Sequence, residues 1–231
     1  MIGINRIVTG MATLLAASLT LAQADQKAAL QEKLAALKQA MAANQVSLQQ
    51  YTWTAHTEVS LKGEVKNQKD ELCRYGSDGK VVKTPTGTPP PQKEMHGVKK
   101  RVVEKKVGEM QDYMERAGAL IQHYVPPTPE KMQEVFQAGK AQLSKSDGGI
   151  AELVFKDYYK SGDALTLGFD TAAKKLTKVN VDSYLDDVKD KVTLDVSFQT
   201  LPDGTNYVGK THLRADAKQI DVNVVNRDYK K

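Results

Sequence analysis

The fold is decided by residues 191–226, which read KVTLDVSFQTLPDGTNYVGKTHLRADAKQIDVNVVN. Apolar residues recur there at every second position: Val192, Leu194, Val196 and Phe198 in one run, and Ile220, Val222 and Val224 in another. A period of two is typical of strands with one face in a core and the other in water. The turns at 202–204 and 216–217 are too short for a parallel crossover. The stretch therefore predicts an antiparallel meander.

The same pattern extends towards the N-terminus. Strands are predicted at 150–159, 164–169, 176–184, 191–201, 207–214 and 219–226. An earlier set is predicted at 51–61, 65–75 and around 81–82, with turns at Gly63 and at 77–79. The total is eight or nine antiparallel strands. An open sheet of that size twists strongly and needs a cover on its apolar face.

Helical segments supply that cover. Residues 25–50 place Leu30, Leu34, Leu37 and Met41 at steps of four and three, which indicates an amphipathic helix. A second helix is predicted over 98–124. One apolar face of it holds Val103, Val107, Met110, Met114, Ala117 and Ile121. Thr128 reads as an N-cap followed by Pro129, opening a short helix through Gln142.

The stretch 85–91 carries four prolines and is expected to be an exposed loop or hinge before the central helices. The sequence as a whole predicts an α+β fold. Its sheet is a curved, incompletely closed antiparallel half-barrel, covered by an N-terminal helix and a central helical insert.

The N-terminus has the features of a secretory signal peptide. Arg6 precedes a weakly polar run over 7–21, and Ala22-Gln23-Ala24 forms a small-x-small cleavage site. The alternative is a buried or membrane-spanning helix, but the run is shorter than the roughly 20 residues that a bilayer requires. We expect residues 1–24 to be removed after Ala24, leaving 25–231 as one periplasmic domain. The residue directly after the cleavage site is Asp25 rather than cysteine, so the mature protein is expected to be soluble and without a lipid anchor.

The composition argues against most enzyme classes. The chain has 231 residues and a net charge of +5, with one Cys and four His, which leaves little material for disulfides, thiolate clusters or a metal site. No nucleophile elbow, H-E-x-x-H, P-loop or dinucleotide-binding glycine motif is present. We expect a non-enzymatic protein with no cofactor and no metal.

Two features keep alternatives open. Cys73 stands beside Arg74 in a predicted strand, and a nucleophilic role would need a histidine nearby in space. An idle buried thiol is the favoured interpretation. Asp186, Asp187 and Asp190 suggest calcium only weakly, and a solvated turn is favoured. A hydrolase with an unrecognised site remains a third possibility.

The order of elements resembles a known family. A signal segment, an amphipathic helix, Tyr51-Thr52-Trp53 entering a hairpin, central helices and a long meander ending near 226–229 follow one another. Over most of the mature chain this order resembles the periplasmic lipoprotein-carrier and outer-membrane lipoprotein-sorting proteins (LolA and LolB-like). The resemblance implies a half-open barrel that holds acyl chains under a helical lid. It carries over no individual functional residue.

The expected function is to hold an apolar ligand, a lipid or acyl chain, between the curved sheet and the helical lid in envelope lipid or lipoprotein handling. The candidate ligand-binding residues are Tyr51, Trp53, Leu61, Met110, Met114, Phe169, Tyr184 and Phe198. Their alternative role is core packing, which needs no ligand. The rival function is an envelope scaffold or protein-interaction module whose helices fill the sheet and leave no cavity.

A basic cluster marks the start of the second helix. It comprises Lys99, Lys100, Arg101, Lys105 and Lys106. These charges are suited to an anionic membrane surface, or to another envelope protein. The alternative is a solvated helix face, since Glu104 and Glu109 are interleaved with them. Export argues against nucleic acid as a partner.

Overall fold

The structure is a computed structural model that describes residues 9–87, 98–145 and 149–231, with side chains for 28–87, 105–144 and 149–231. Its helices are α1 (Thr9–Leu48), α2 (Val98–Gln122) and α3 (Pro129–Gln137). Its strands are β1 (Thr52–Leu61), β2 (Glu64–Tyr75), β3 (Val81–Pro85), β4 (Ala141–Lys145), β5 (Ile150–Lys156), β6 (Ala164–Asp170), β7 (Lys175–Tyr184), β8 (Lys191–Thr200), β9 (Asn206–Ala215) and β10 (Ile220–Lys230).

All the described strands form one antiparallel sheet. Its order is β3-β2-β1-β10-β9-β8-β7-β6-β5-β4, so every pair except β1 with β10 joins neighbours in the sequence. The described strands β3 and β4 lie at opposite ends and do not pair, so the sheet stays open. The predicted α+β class, a curved half-barrel covered by helices, is confirmed.

The meander follows its predicted parity. Val192, Leu194 and Val196 are 0–5% exposed and lie on the face that carries the helices. Phe198 is only half-buried, because the register shifts between Ser197 and Phe198 and leaves Gly209 as a bulge on β9. A Cβ at Gly209 would lie 2.9 Å from the exposed Gln199 side chain, so a larger residue there would require that side chain to move.

One main cluster joins the helices to the sheet. The helical members are Leu30, Leu34 and Leu37 of α1, Tyr113, Ala117 and Leu120 of α2, and Met132, Val135 and Phe136 of α3. Phe155, Phe169 and Val181 are among the sheet residues that meet them, each at most 1% exposed. The Thr128 hydroxyl caps α3 by accepting from the Lys131 N–H at 3.4 Å, as its sequence predicts.

Two details differ from the expectation. Helix α3 ends at Gln137 rather than continuing to Gln142, because Gly139 adopts a φ of +72° and Ala141 begins strand β4, which pairs with β5. The described sheet therefore has ten strands rather than eight or nine.

In α2 the residues that face the core differ from the predicted ones. Val107, predicted on the core face, is 49% exposed, whereas Tyr113 is 3% exposed.

The predicted signal and hinge segments are covered only in part. Residues 1–8 lie outside the described residues, and 9–24 form the first part of α1, continuous with the predicted helix from 25. Cleavage after Ala24 stays a prediction. Pro85 ends β3, and the other three prolines of 85–91 lie outside the described residues. No helix within the described part of the chain is long and apolar enough to cross a membrane.

Candidate functional site

The predicted ligand-binding residues do not form one pocket. Leu61, Met110, Met114, Phe169 and Phe198 contact the main cluster between the sheet and the helices. Trp53 belongs to a second cluster, with Ala55 and Cys73. Tyr184 is the last residue of β7, and its hydroxyl donates to the Ser161 carbonyl at 2.7 Å, while the Lys160 ammonium lies 4.0 Å from its ring centre.

Trp53 is part of an aromatic corner where β1, β2, β9 and β10 come together. The corner comprises Tyr51, Trp53, Tyr75, Tyr207 and Tyr229. Trp53 and Tyr229 stack with ring centres 5.4 Å apart and planes 5° apart, and Tyr207 lies 4.3 Å from Tyr229. Local sequence patterns predicted only Tyr51 and Trp53, since Tyr229 arrives through the pairing of β1 with β10.

An ion pair fastens the edge of the aromatic corner. The Tyr51 hydroxyl donates to Asp203 Oδ2 at 2.5 Å, and Lys231 Nζ lies 2.9 Å from the same oxygen. The Tyr51 hydroxyl, followed by the Lys231 ammonium, holds the pKa of Asp203 well below its ordinary value. The same hydrogen bond to Asp203 raises the pKa of Tyr51. The folded state therefore favours the ionised form of Asp203.

This preference predicts a pH dependence of stability. Because the folded-state pKa of Asp203 is lowered, its contribution is fully present above the ordinary value of 3.8 and is lost as the pH falls below it. Thermal melts of the wild type and Asp203→Asn between about pH 6 and pH 2 should show a wild-type advantage that narrows below about pH 4. An advantage that stays constant over that range would contradict this assignment.

Cys73 lies beneath the aromatic corner, in a setting that disfavours a thiolate. It is 1% exposed, and its thiol donates to the Glu71 carbonyl at 3.6 Å. Burial raises the pKa of the Cys73 thiol, which is the opposite of what a nucleophilic cysteine needs.

The acidic turn is held by protein contacts. Asp186 pairs with Arg116, Asp187 Oδ1 accepts from the Lys189 N–H at 2.8 Å, and Asp190 accepts from the Tyr113 hydroxyl at 2.5 Å. Among the described residues no group of three possible metal ligands comes together. The Tyr113 and Arg116 contacts instead fasten the middle of α2 to the loop after β7.

A buried polar network connects Tyr124, just after α2, to Asp163 and Ser183. The Tyr124 hydroxyl, in a fully buried side chain, donates to Asp163 and lies 2.8 Å from Ser183 Oγ. Asp163, 2% exposed, also accepts from the backbone N–H groups of Tyr159 and Lys160, at 3.2 and 2.7 Å. Burial raises the pKa of Tyr124, so its hydroxyl remains a donor.

A groove between α1 and α3 leads from the surface to the main cluster. It has a volume of about 320 Å³. Its lining residues are Gln31, Leu34, Ala35, Lys38, Pro129, Glu130, Met132 and Gln133. Leu34 and Met132 belong to the main cluster, whereas the polar residues form the rim. The volume is at the lower end of the range for small-molecule sites.

A second groove, of about 550 Å³, crosses β5 to β9. Its polar residues lie on the face of the sheet opposite the helices, and most of its charged groups already have partners. Lys178 Nζ lies 2.5 Å from Glu152, the Asn180 amide donates to Asp195 at 2.7 Å, and His212 lies 2.8 Å from Asp221. This arrangement is typical of a solvated outer face.

The basic cluster on α2 is described only in part. The side chains of Lys99, Lys100 and Arg101 lie outside the described residues, whereas those of Lys105 and Lys106 are exposed. Lys105 Nζ is 3.9 Å from Glu109 Oε1, one turn further along the helix. That distance at an exposed site leaves Lys105 available to another anion.

The comparisons with known proteins give the chain no family. No protein-family model matches it, and no curated protein matches it in sequence. A solved structure that resembles it is that of a DUF1329 family protein from Desulfovibrio piger, with 12% identity and a TM-score of 0.39. The match covers 85% of this chain and 91% of that chain. At this identity and score the similarity assigns no function, and the likeness to lipoprotein carriers remains an interpretation of element order.

Proposed function

We propose that this protein is a non-enzymatic envelope protein that holds a lipid or acyl chain between the curved sheet and the helices. One observation carries the proposal: the groove between α1 and α3 opens onto Leu34 and Met132, which belong to the apolar cluster under the open sheet. An apolar chain entering there would contact the same residues that join helices to sheet. The element order, which resembles that of lipoprotein carriers, supports the same function.

The proposed location is the periplasm, reached through the signal segment 1–24. The proposed contact with the membrane is the basic cluster in the first part of α2. Lys105 and Lys106 are exposed there beside Val107, which is 49% exposed. Cationic side chains beside an exposed aliphatic residue suit an anionic bilayer surface, each charge contributing about 1 kcal/mol.

Ligand binding in the groove is tested by placing a bulky side chain at one of its lining residues. Ala35 is exposed on α1 and lines the groove, so Ala35→Trp should occupy the space without entering the main cluster. Native mass spectrometry of wild-type protein from its own envelope should show a bound lipid. Uptake of a fluorescent fatty acid should be weakened about tenfold in Ala35→Trp, a change of about 1.4 kcal/mol in binding.

The matched control is Ala42→Trp, another exposed alanine of α1, which is not among the groove residues. It should take up the fatty acid as the wild type does. An equal loss of fatty-acid uptake in both variants would mean that the fatty acid does not bind in the groove. Wild-type protein with no bound lipid and no fatty-acid uptake would overturn the proposal.

A packed interaction module is the second candidate, and the network of Tyr124, Asp163 and Ser183 favours it. All three residues are at most 2% exposed, and they fix the end of α2 to the sheet. A lid that lifts must break such contacts, whereas a permanent core keeps them. A stable, well-folded wild type that carries no lipid is the result this candidate expects.

A further inference from the structure

A buried carboxylate lies on an outer strand of the sheet, on the face that carries the helices. Glu71 of β2 shares this face with Cys73, and it lies opposite Ala55 of β1 and Pro85 of β3. Its side chain is 8% exposed, although β2 and β3 are largely exposed around it. A carboxylate is rarely buried to this degree without full pairing.

Two lysines flank Glu71. Lys69 Nζ donates to Glu71 Oε1 at 2.9 Å, and Lys83 Nζ lies 3.9 Å from Oε2, beyond hydrogen-bond distance. Both lysine side chains are about half exposed, at 51% and 50%. Their long stems can therefore change position without disturbing the core. The group of three carries a net charge of +1.

One oxygen of Glu71 lacks a hydrogen bond. Oε2 is buried and has no hydrogen-bond partner among the described residues. Leaving a buried acceptor unsatisfied is costly, and the cost is greater for a charged group. A ligand that donates an N–H to Oε2 would remove that cost, and its own anionic group would meet the two ammonium groups.

We propose that Lys69, Glu71 and Lys83 bind a primary ammonium–phosphate headgroup, the zwitterion of an ethanolamine phospholipid. The ammonium donates to Glu71 Oε2, and the phosphate oxygens accept from Lys83 and Lys69. Each charge of the ligand then lies next to an opposite charge of the protein. This site goes beyond the proposed function, because Glu71, Lys69 and Lys83 are not among the residues that line the groove between α1 and α3.

The same three residues discriminate against related headgroups. A choline headgroup carries the same charges, but its quaternary ammonium has no N–H and leaves Oε2 unsatisfied. A phosphate without an ammonium meets the two lysines but has no N–H to donate, so it also leaves Oε2 without a hydrogen bond. The site therefore selects by a hydrogen-bond donor rather than by net charge.

The test uses water-soluble headgroups, which do not depend on the apolar groove. The full chain is titrated with glycerophosphoethanolamine and with glycerophosphocholine, and binding is followed by the fluorescence of Trp53. Trp53 is the chain's one tryptophan and lies opposite Cys73, two residues from Glu71. The ethanolamine compound should bind at least about tenfold more tightly, as expected for one charge-assisted hydrogen bond.

Two variants and a control assign the preference to these residues. Glu71→Gln should reduce the preference for the ethanolamine compound over the choline compound to about twofold or less. Lys83→Gln should weaken the binding of both compounds and leave that preference unchanged. The control, Glu58→Gln, alters a carboxylate on the other face of β1 that accepts from Gln68 at 2.7 Å, and it should change nothing. Circular dichroism confirms folding, and Lys83→Gln provides the test if Glu71→Gln does not fold.

Equal binding of the two compounds, no binding of either, or a preference that survives Glu71→Gln would each overturn the headgroup site. Fatty-acid uptake is measured separately, so its outcome shows whether the proposed function stands without the headgroup site. Loss of uptake with the headgroup preference intact would overturn the groove between α1 and α3 instead.

Discussion

Replacing Phe169 by alanine is expected to lower the free energy of unfolding by about 3–5 kcal/mol, the range for truncating a buried phenylalanine. Phe169 is 1% exposed on β6 and belongs to the main cluster under the helices. Equilibrium denaturation in urea, followed by circular dichroism, measures the loss. The effect should be structural, present with and without added lipid.

The control for this prediction is Val225→Ala. Val225 is 40% exposed on β10, so its truncation should cost less than about 1 kcal/mol. Similar losses at the two positions would mean that Phe169 does not pack as described. It would then return as a candidate ligand contact, as its position in the sequence first suggested.

Replacing Asp163 by alanine is expected to cost about 3 kcal/mol or more. The buried Tyr124 hydroxyl and the partly buried N–H groups of Tyr159 and Lys160 lose their acceptor together, and a fully buried donor left unsatisfied costs about 1–3 kcal/mol. Asp163→Asn should cost less, because the amide oxygen still accepts. Urea denaturation of both variants and the wild type gives the difference.

Asp187 provides the comparison, since it also accepts a backbone N–H but in an exposed turn. Asp187→Ala should cost about 1 kcal/mol or less. If Asp163→Ala cost no more stability than Asp187→Ala, the network after α2 would contribute little to stability. The helices would then be free to move as a lid, and the packed-module alternative would lose its main support.

The meander was predictable because its signal is local. Val192, Leu194 and Val196 alternate with polar residues, and the turns between strands are too short for anything but antiparallel neighbours. Strand β4 was not predictable in this way. Its sequence AQLSK continues a helical stretch without a strong period, and only Gly139 and the pairing with β5 make it a strand.

In the candidate sites, too, features with a local sequence signal were predictable and contacts between distant segments were not. Tyr229 stacks on Trp53 because β10 pairs with β1, and no local pattern reports contacts between such distant segments. Glu71 left a signal that could have been used: it shares strand parity with the apolar Cys73 and Tyr75. An acid on the apolar side of a strand marks either a mistaken parity or a buried charge. The structure shows a buried charge.

The pairing of β1 with β10 also governs when this protein can fold. Thr52 and Lys230 are 178 positions apart, so the two halves of the sheet join only after nearly the whole chain has been synthesised. Closing so large a loop delays folding, because the entropy is lost before distant contacts form. Until then β1 and β9 remain open edges. A chain that stays unfolded this long suits the proposed export, because a translocation channel accepts an unfolded chain and β10 would complete the sheet only afterwards.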